Sequence, residues 1–168
     1  MTVCSGSNKQ LKLTRGVSTV MPSVETSVVR EIKVNAKPET VFSYLVDQDK
    51  LRRWMTIGGT MDPRPGGAFR WQVTSEDIAS GKYVEVKPPS RLVFTFGWEG
   101  EDAITKAGSS TIEITLTPDG NGTLVRLVHS GLPTAEAAEK HAFGWEHYLK
   151  RLAAAATGAD PGHDTMQD

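Results

Sequence analysis

The sequence predicts an α+β domain in which an antiparallel sheet packs against one long helix near the C-terminus. Three observations predict it. Residues 134–157 contain no proline and one glycine, and their apolar side chains recur every three or four positions, as in an amphipathic helix. The preceding segments alternate apolar and polar residues, as strands with one buried face do. Short turn signals separate these segments, which favours antiparallel pairing of neighbours.

The first elements are a strand and two short helices. Residues 26–35 alternate apolar and charged side chains and predict a half-buried strand. Pro38 then suits the first turn of a helix, because its missing N–H needs no partner there. Residues 47–54 predict a second short helix that ends on Trp54. Two short helices directly after the first strand would form a V-shaped brace.

The middle of the chain predicts five or six further strands. Glycine- and proline-rich breaks at 58–59 and 63–67 precede most of them, and Asn121-Gly122 is a strong hairpin signal. A polar loop is expected at 99–108. The clearest strand patterns cover 68–74, 81–87, 91–98, 110–117 and 123–129.

The long helix is predicted to begin after Thr134, which can cap it, and to stop at Gly158. Its apolar stripe passes through Trp145 and Leu152. At about 1.5 Å per residue the helix would be roughly 36 Å long. A straight helix of that length cannot fill a concave sheet along its whole length, so we expect a gap between helix and sheet.

Length and composition narrow the class of protein. A chain of 168 residues suggests one domain, which we place at residues 24–158. The polar segments 1–23 and 159–168 are interpreted as flexible tails. The formal net charge of −1 gives no reason to expect a nucleic-acid partner. No apolar run approaches the ~20 residues of a membrane helix, so we expect a cytoplasmic protein, monomeric or homodimeric.

Metal and catalytic motifs are not found. The single cysteine, Cys4, excludes an intramolecular disulfide and a cysteine-built metal site. His141 and His147 are six residues apart, so a helix would turn them about 120° away from each other. Neither an HExxH motif nor a GxSxG motif is present. We therefore expect no metal, no cofactor and no catalytic residue.

Large aromatic residues predict the lining of a cavity. They fall on the elements that should face the gap, and an apolar cavity closed by a few polar groups is typical of small-molecule sites. The alternative is an ordinary core, because aromatic side chains dominate cores in any case. The candidate lining residues are Trp54, Phe69, Trp71, Phe94, Phe96, Trp98, Trp145 and Tyr148.

Three polar residues are candidate anchors for a ligand. Tyr83 and Glu85 share one face of a predicted strand, and periodicity leaves open whether that face points inward. A carboxylate pointing inward would have a raised pKa, which is a common sign of a site. His129 shares the phase of apolar neighbours and is expected to reach the core face, where a structural role competes with a functional one.

Five stretches together resemble the SRPBCC, or START-like helix-grip, superfamily, and within it the domain related to the activator of the heat-shock-protein-90 ATPase. The resemblance runs from about Val28 to Leu152 in the family's order. It implies a curved antiparallel sheet of about seven strands wrapped around the last helix, with a hydrophobic cavity between them. The stretches are VREIKVNAKPETVFSYLVDQDKLRRWM, GGAFRW, GKYVEVKPPSRLVFTFGW, LVHSGLP and HAFGWEHYLKRL.

The resemblance implies more than one activity. Binding of an apolar or aromatic small molecule in the cavity is the first expectation. A co-chaperone or stress-response module that activates a chaperone ATPase is the first alternative, although the chain lacks room for the second domain of the eukaryotic co-chaperone. A cyclase or hydrolase acting on a polyketide-like substrate is the second alternative.

Overall fold

A computed structural model describes residues 26–167 as one sheet with three α-helices. The strands and helices follow the predicted order, and a short 3₁₀ helix covers Thr165–Gln167. The elements are β1 (Thr26–Val34), α1 (Pro38–Val46), α2 (Gln48–Leu51), β2 (Gly58–Met61), β3 (Ala68–Gln72), β4 (Ile78–Lys87), β5 (Arg91–Phe96), β6 (Ser110–Asp119), β7 (Gly122–Leu132) and α3 (Ala135–Ala156).

All seven described strands form one antiparallel sheet in the order β1-β7-β6-β5-β4-β3-β2. Strands β2 to β7 are neighbours in chain order, as tight turns between them predict. The first strand instead closes the opposite edge by pairing with β7, with Val28 opposite His129. The α+β fold predicted from the sequence is therefore confirmed.

Helix α3 packs across the concave face of the sheet. Thr134 caps it, because its Oγ1 accepts the Ala137 N–H at 3.0 Å. Trp145 and Leu152 lie on its buried face. Gly158 follows the helix with φ +88°, a conformation that favours glycine. The N-terminal cap, the apolar face and the end of α3 therefore agree with the sequence pattern.

The two short helices brace one end of this core. Pro38 occupies the first turn of α1, as predicted. Helix α2 ends at Leu51, earlier than predicted, and the chain continues through turns to Trp54. The Trp54 Nε1–H donates to the Tyr44 carbonyl at 3.0 Å, so the indole links α1 to the turn that follows α2.

A β-bulge in β4 decides which side chains point inward. Tyr83 pairs with Phe94 and Glu85 pairs with Val93, so one extra residue, Val84, bulges out between them. Tyr83 is buried in the core, whereas Glu85 lies on the outer face, where it forms an ion pair with Arg91. Strict alternation would have placed both on one face, and the bulge breaks it.

The segment after α3 is packed against the domain. Asp164 is only 4 % exposed, and the His147 Nε2–H donates to its Oδ1 at 2.7 Å. Arg151 donates to the Gly162 carbonyl at 3.0 Å, and the Gln167 side chain donates to the Val73 carbonyl at 3.0 Å. The polar composition predicted a flexible tail at residues 159–168, but residues 159–167 pack against the domain. The expected tail at 1–23 lies outside the described residues.

We predict that Asp164→Ala lowers the free energy of unfolding by about 1–3 kcal/mol at pH 7, because it leaves buried donors without their acceptor. Burial by itself would raise the pKa of Asp164, but hydrogen bonds from His147, the Met166 N–H and Tyr148 together lower it. Urea denaturation of the variant and the wild-type protein measures the difference.

The sign of the pH dependence follows from the lowered pKa. The carboxylate adds stability above its unfolded-state pKa of about 4 and loses it as the pH falls through the folded-state pKa. The difference from wild type should shrink below about pH 4. Thr165→Ala, an exposed neighbour, is the control and should change stability by less than about 0.5 kcal/mol. A difference that is absent at pH 7, or that grows in acid, would contradict the prediction.

Candidate functional site

A cavity of about 580 Å³ lies between the first half of α3 and the segment that follows β5. Its walls are aromatic and aliphatic, and its mouth is lined by exposed acidic side chains. Met55 and Val73 line it from the α2–β2 connection and the end of β3, and Met166 of the C-terminal segment closes another side. A cavity of this size falls within the range of small-molecule sites.

One face of α3 forms the longest wall. The lining residues recur at intervals of three and four, so the helix presents a continuous stripe to the cavity. Gly144 lies at the centre of that stripe, and a Cβ added there would meet no atom within 4 Å. The stripe consists of Ala137, Lys140, His141, Gly144, Trp145 and Tyr148.

A chain of hydrogen bonds joins this wall to the sheet. The Trp145 indole N–H donates to His129 Nδ1 at 3.0 Å, and His129 Nε2 lies 2.7 Å from Ser110 Oγ. The Ser110 hydroxyl donates to the Phe96 carbonyl at 2.7 Å. The chain thus connects α3 with β7, β6 and β5 in turn.

These partners determine the protonation of His129. Since the Phe96 carbonyl can only accept, the Ser110 hydroxyl donates its hydrogen bond to that carbonyl. Ser110 Oγ therefore accepts a hydrogen bond from the Nε2–H of His129. Nδ1 must then be unprotonated in order to accept from Trp145. Burial, with a smaller contribution from His141, lowers the pKa of His129 to about 3. The imidazole is therefore neutral, with both nitrogens occupied, and its placement is structural.

A second indole–imidazole pair lies at the cavity wall itself. The Trp98 indole N–H donates to His141 Nε2 at 3.0 Å, and His141 Nδ1–H donates to the Ala137 carbonyl at 2.7 Å. Burial lowers the pKa of His141, although the bond to Ala137 opposes the shift. The two imidazole rings lie 4.9 Å apart between centroids. Because His129 carries its proton on Nε2 and His141 carries its proton on Nδ1, the two rings are opposite tautomers.

Four of the candidate lining residues predicted from the sequence lie at this cavity: Phe96, Trp98, Trp145 and Tyr148. Four others pack against one another on the inner face of β3, β4 and β5 instead. The Phe69 and Trp71 rings stack at 4.1 Å, and the Phe69 ring lies 5.5 Å from that of Phe94. These four rings fill the concave face locally and belong to the core; they are Phe69, Trp71, Tyr83 and Phe94.

The remaining predicted residues lie away from the cavity lining. Trp54 is buried in the braces, and His129 lies behind Trp145. Glu85 is corrected: it is on the outer face, and the hydrogen bond from Arg91 lowers its pKa, against the opposing effect of burial. A raised pKa was the sign expected of an inward carboxylate, and the bulge removes the reason for it.

Sequence reasoning missed His141 and Gly144 as lining residues. His141 belongs to the apolar stripe that predicted the helix and was interpreted as core, whereas Gly144 was not part of that stripe. Trp98 was grouped with the aromatic residues, but its bond to His141 was not anticipated, because 43 residues separate the two. The loop at 99–105 carries no periodicity that could have placed it over the cavity.

Two further features of the described residues concern metals and membranes. Within residues 26–167, no three or more His, Cys, Asp or Glu side chains are grouped so that they could hold a metal ion. None of the described helices is both long and apolar enough to cross a membrane.

We predict that the two imidazoles have opposite tautomers in solution, Nε2–H for His129 and Nδ1–H for His141. Two-dimensional NMR that correlates imidazole nitrogens with ring protons distinguishes them. His129 should not titrate between pH 5 and 8. The Trp145→Phe variant should raise the pKa of His129, because a proton on Nδ1 would no longer face an N–H donor. A midpoint above pH 5 for wild-type His129, or identical tautomers, would contradict the hydrogen-bond chain.

Similar structures have been solved for several bacterial proteins. An AHSA1-like protein from Rhizobium etli is 43% identical, with a TM-score of 0.69 over 86% of this chain and 90% of that one. CalU16 from Micromonospora echinospora is 27% identical, with a TM-score of 0.65 over 79% of this chain and 77% of that one. The Aha1 dimer from Colwellia psychrerythraea, at 21% identity and a TM-score of 0.68 over 77% and 95%, shares the fold.

The family comparison covers most of the domain. No protein of curated function matches the chain significantly. The model of the family described as activator of Hsp90 ATPase homolog 1-like protein matches residues 35–157, which span α1 to the end of α3. The resemblance noted in the sequence is therefore confirmed, and the chain belongs to the AHSA1 family, with the helix-grip fold of the SRPBCC superfamily.

Proposed function

We propose that this protein binds an apolar or aromatic small molecule in the cavity between α3 and the 96–105 segment. The walls at Phe96, Trp145 and Tyr148 would contact the body of the ligand, and solvent-exposed residues surround the mouth. Mostly apolar walls with a few placed polar groups are typical of such sites. Membership in a superfamily with a helix-and-sheet cavity supports the same proposal.

Gly144 is the observation that carries the proposal. Glycine in the middle of a helix costs about 0.5–1 kcal/mol relative to alanine, so a packing or functional reason is expected for it. At this position no neighbour requires its small size, because an added Cβ would meet nothing within 4 Å. Because Gly144 lines the cavity, its lack of a side chain leaves that part of the cavity open.

The family description favours a second candidate, contact with a chaperone ATPase. Such contact would use an exposed apolar surface. Among the described residues, the large exposed apolar side chains lie on five separate elements or loops, which supports this candidate less well. They are Val29, Ile57, Val84, Ile104 and Phe143. Stimulation of a purified Hsp90 ATPase by this protein would favour the second candidate.

An enzyme of the cyclase or hydrolase type needs a group at the cavity that can exchange protons with a substrate. His141 is the imidazole in the lining, and both of its nitrogens are hydrogen-bonded within the domain. This arrangement leaves His141 no free nitrogen for proton exchange with a substrate, so it does not support catalysis by this imidazole.

We predict that Gly144→Phe abolishes binding by filling the cavity, while the protein remains folded. The ring would enter open space rather than displace core atoms. Nile red, a neutral apolar dye, serves as the probe, and its fluorescence on titration gives Kd. We expect a loss of at least about tenfold, which corresponds to 1.4 kcal/mol.

Gly144→Ala is the matched control. It should retain dye binding and should stabilise the helix by up to about 1 kcal/mol. Thermal unfolding checks both variants, because a ligand at 100 times its Kd adds about 2.7 kcal/mol of stability to the wild type. Saturable binding that is equal in wild type and Gly144→Phe would place the dye elsewhere, and the absence of saturable binding by the wild type would contradict the proposal.

A further inference from the structure

The mouth of the cavity carries an excess of negative charge. Its lining includes one lysine, Lys140, and five carboxylates: Asp77, Glu99, Glu101, Asp102 and Glu136. Glu99 pairs with Arg70 at 3.0 Å, and Lys140 pairs with Glu136 at 3.3 Å. The other three carboxylates form no ion pair within residues 26–167. Because the whole chain has a net charge of only −1, this excess is local.

A buried hydroxyl beside this mouth has no partner. Thr105 is 2 % exposed and lines the cavity, and its Oγ1 makes no hydrogen bond among the described residues. Its backbone is fixed, because the Trp98 N–H donates to the Thr105 carbonyl at 2.9 Å. Buried polar groups normally have a partner, and because Thr105 lines the cavity, a group inside the cavity could supply one. The lone pairs of Thr105 Oγ1 can accept an N–H.

The aromatic wall presents ring faces to the cavity, and its indole and imidazole N–H groups are already hydrogen-bonded within the domain. The indole N–H groups of Trp98 and Trp145 are both spent on imidazole nitrogens. The imidazole N–H of His141 is spent on the Ala137 carbonyl. The aromatic wall therefore offers an anionic ligand no free donor, and the side-chain donors left in the lining are the Thr105 hydroxyl and Lys140, which is paired with Glu136. The exposed faces of aromatic rings attract cations.

We infer that the ligand is an amine, with an apolar or aromatic body and a protonated nitrogen at the mouth of the cavity. This inference rests on the proposed function, since it concerns the same cavity. The body would lie against Phe96, Trp145 and Tyr148. The ammonium group would lie near Asp77, Glu101 and Asp102, with Thr105 Oγ1 accepting one of its hydrogen bonds.

Three probes with one aromatic body and different charge test the inference. They are 1-naphthylmethylamine, which is cationic at pH 7, 1-naphthalenemethanol, which is neutral, and 1-naphthylacetate, which is anionic. Quenching of tryptophan fluorescence on titration gives Kd for each. The cation should bind about fivefold more tightly than the neutral alcohol, and the anion more weakly than both. The preference should fall in about 0.5 M salt, because salt screens exposed charges.

Charge-neutralising variants separate the mouth from the net charge of the protein. Glu101→Gln/Asp102→Asn should bring the cation-to-neutral ratio close to one, without changing Kd for the alcohol. Glu39→Gln/Glu139→Gln changes the net charge equally at exposed sites outside the cavity lining, and it should keep the preference. Thr105→Val should weaken binding of the amine more than binding of the alcohol.

The outcomes distinguish this inference from the proposed function. If all three probes bind with equal Kd, or if both double variants lose the preference equally, the amine inference is overturned and the cavity proposal stands. If none of the probes shows saturable binding that Gly144→Phe removes, the cavity proposal fails and the inference fails with it. A cation preference that only the mouth variant removes supports both.

Discussion

The hydrogen-bond chain from Trp145 through His129 and Ser110 to the Phe96 carbonyl is the interaction on which the rest of the structure depends. Apolar packing alone would allow a helix to slide or rotate over the apolar face of a sheet, because the hydrophobic effect has no direction. The chain is directional, and each donor meets one acceptor. It fixes the rotation of α3 and therefore decides which helix face turns toward the open space.

The same chain, together with the bond between Trp98 and His141, explains how two imidazoles beside the cavity stay neutral. Each imidazole accepts a hydrogen bond from one indole N–H and donates its own N–H to an oxygen atom, and burial keeps both rings neutral. A protonated His129 would turn an N–H toward the Trp145 N–H, so the network itself opposes the charge. Trp98 and His141 then hold the segment after β5 against α3, and both residues line the cavity.

The sequence was sufficient for the architecture but not for the cavity. Alternation and turn signals predicted most of the strands, and Thr134 and Gly158 marked the ends of α3, because these features are local. The placement of Tyr83 and Glu85 depended on a bulge at Val84 that alternation cannot register. Phe69, Trp71 and Phe94 were expected to line a cavity, but whether aromatic rings surround a space or fill it depends on contacts between strands. The partner of His141 comes from a loop, which has no period to identify it.

Gly144 is a position in α3 that lines the cavity and at which the helix gives up stability. Alanine at this position would favour the helix by about 0.5–1 kcal/mol, and a larger apolar side chain would add roughly 25 cal/mol for each Å² that it removed from water. Neither change meets a steric obstacle, because no atom lies within 4 Å of the added Cβ. The protein therefore forgoes stabilisation at a helix position that lines the cavity. Stability given up locally, inside a well-ordered frame, is common at functional sites and supports the proposed binding site.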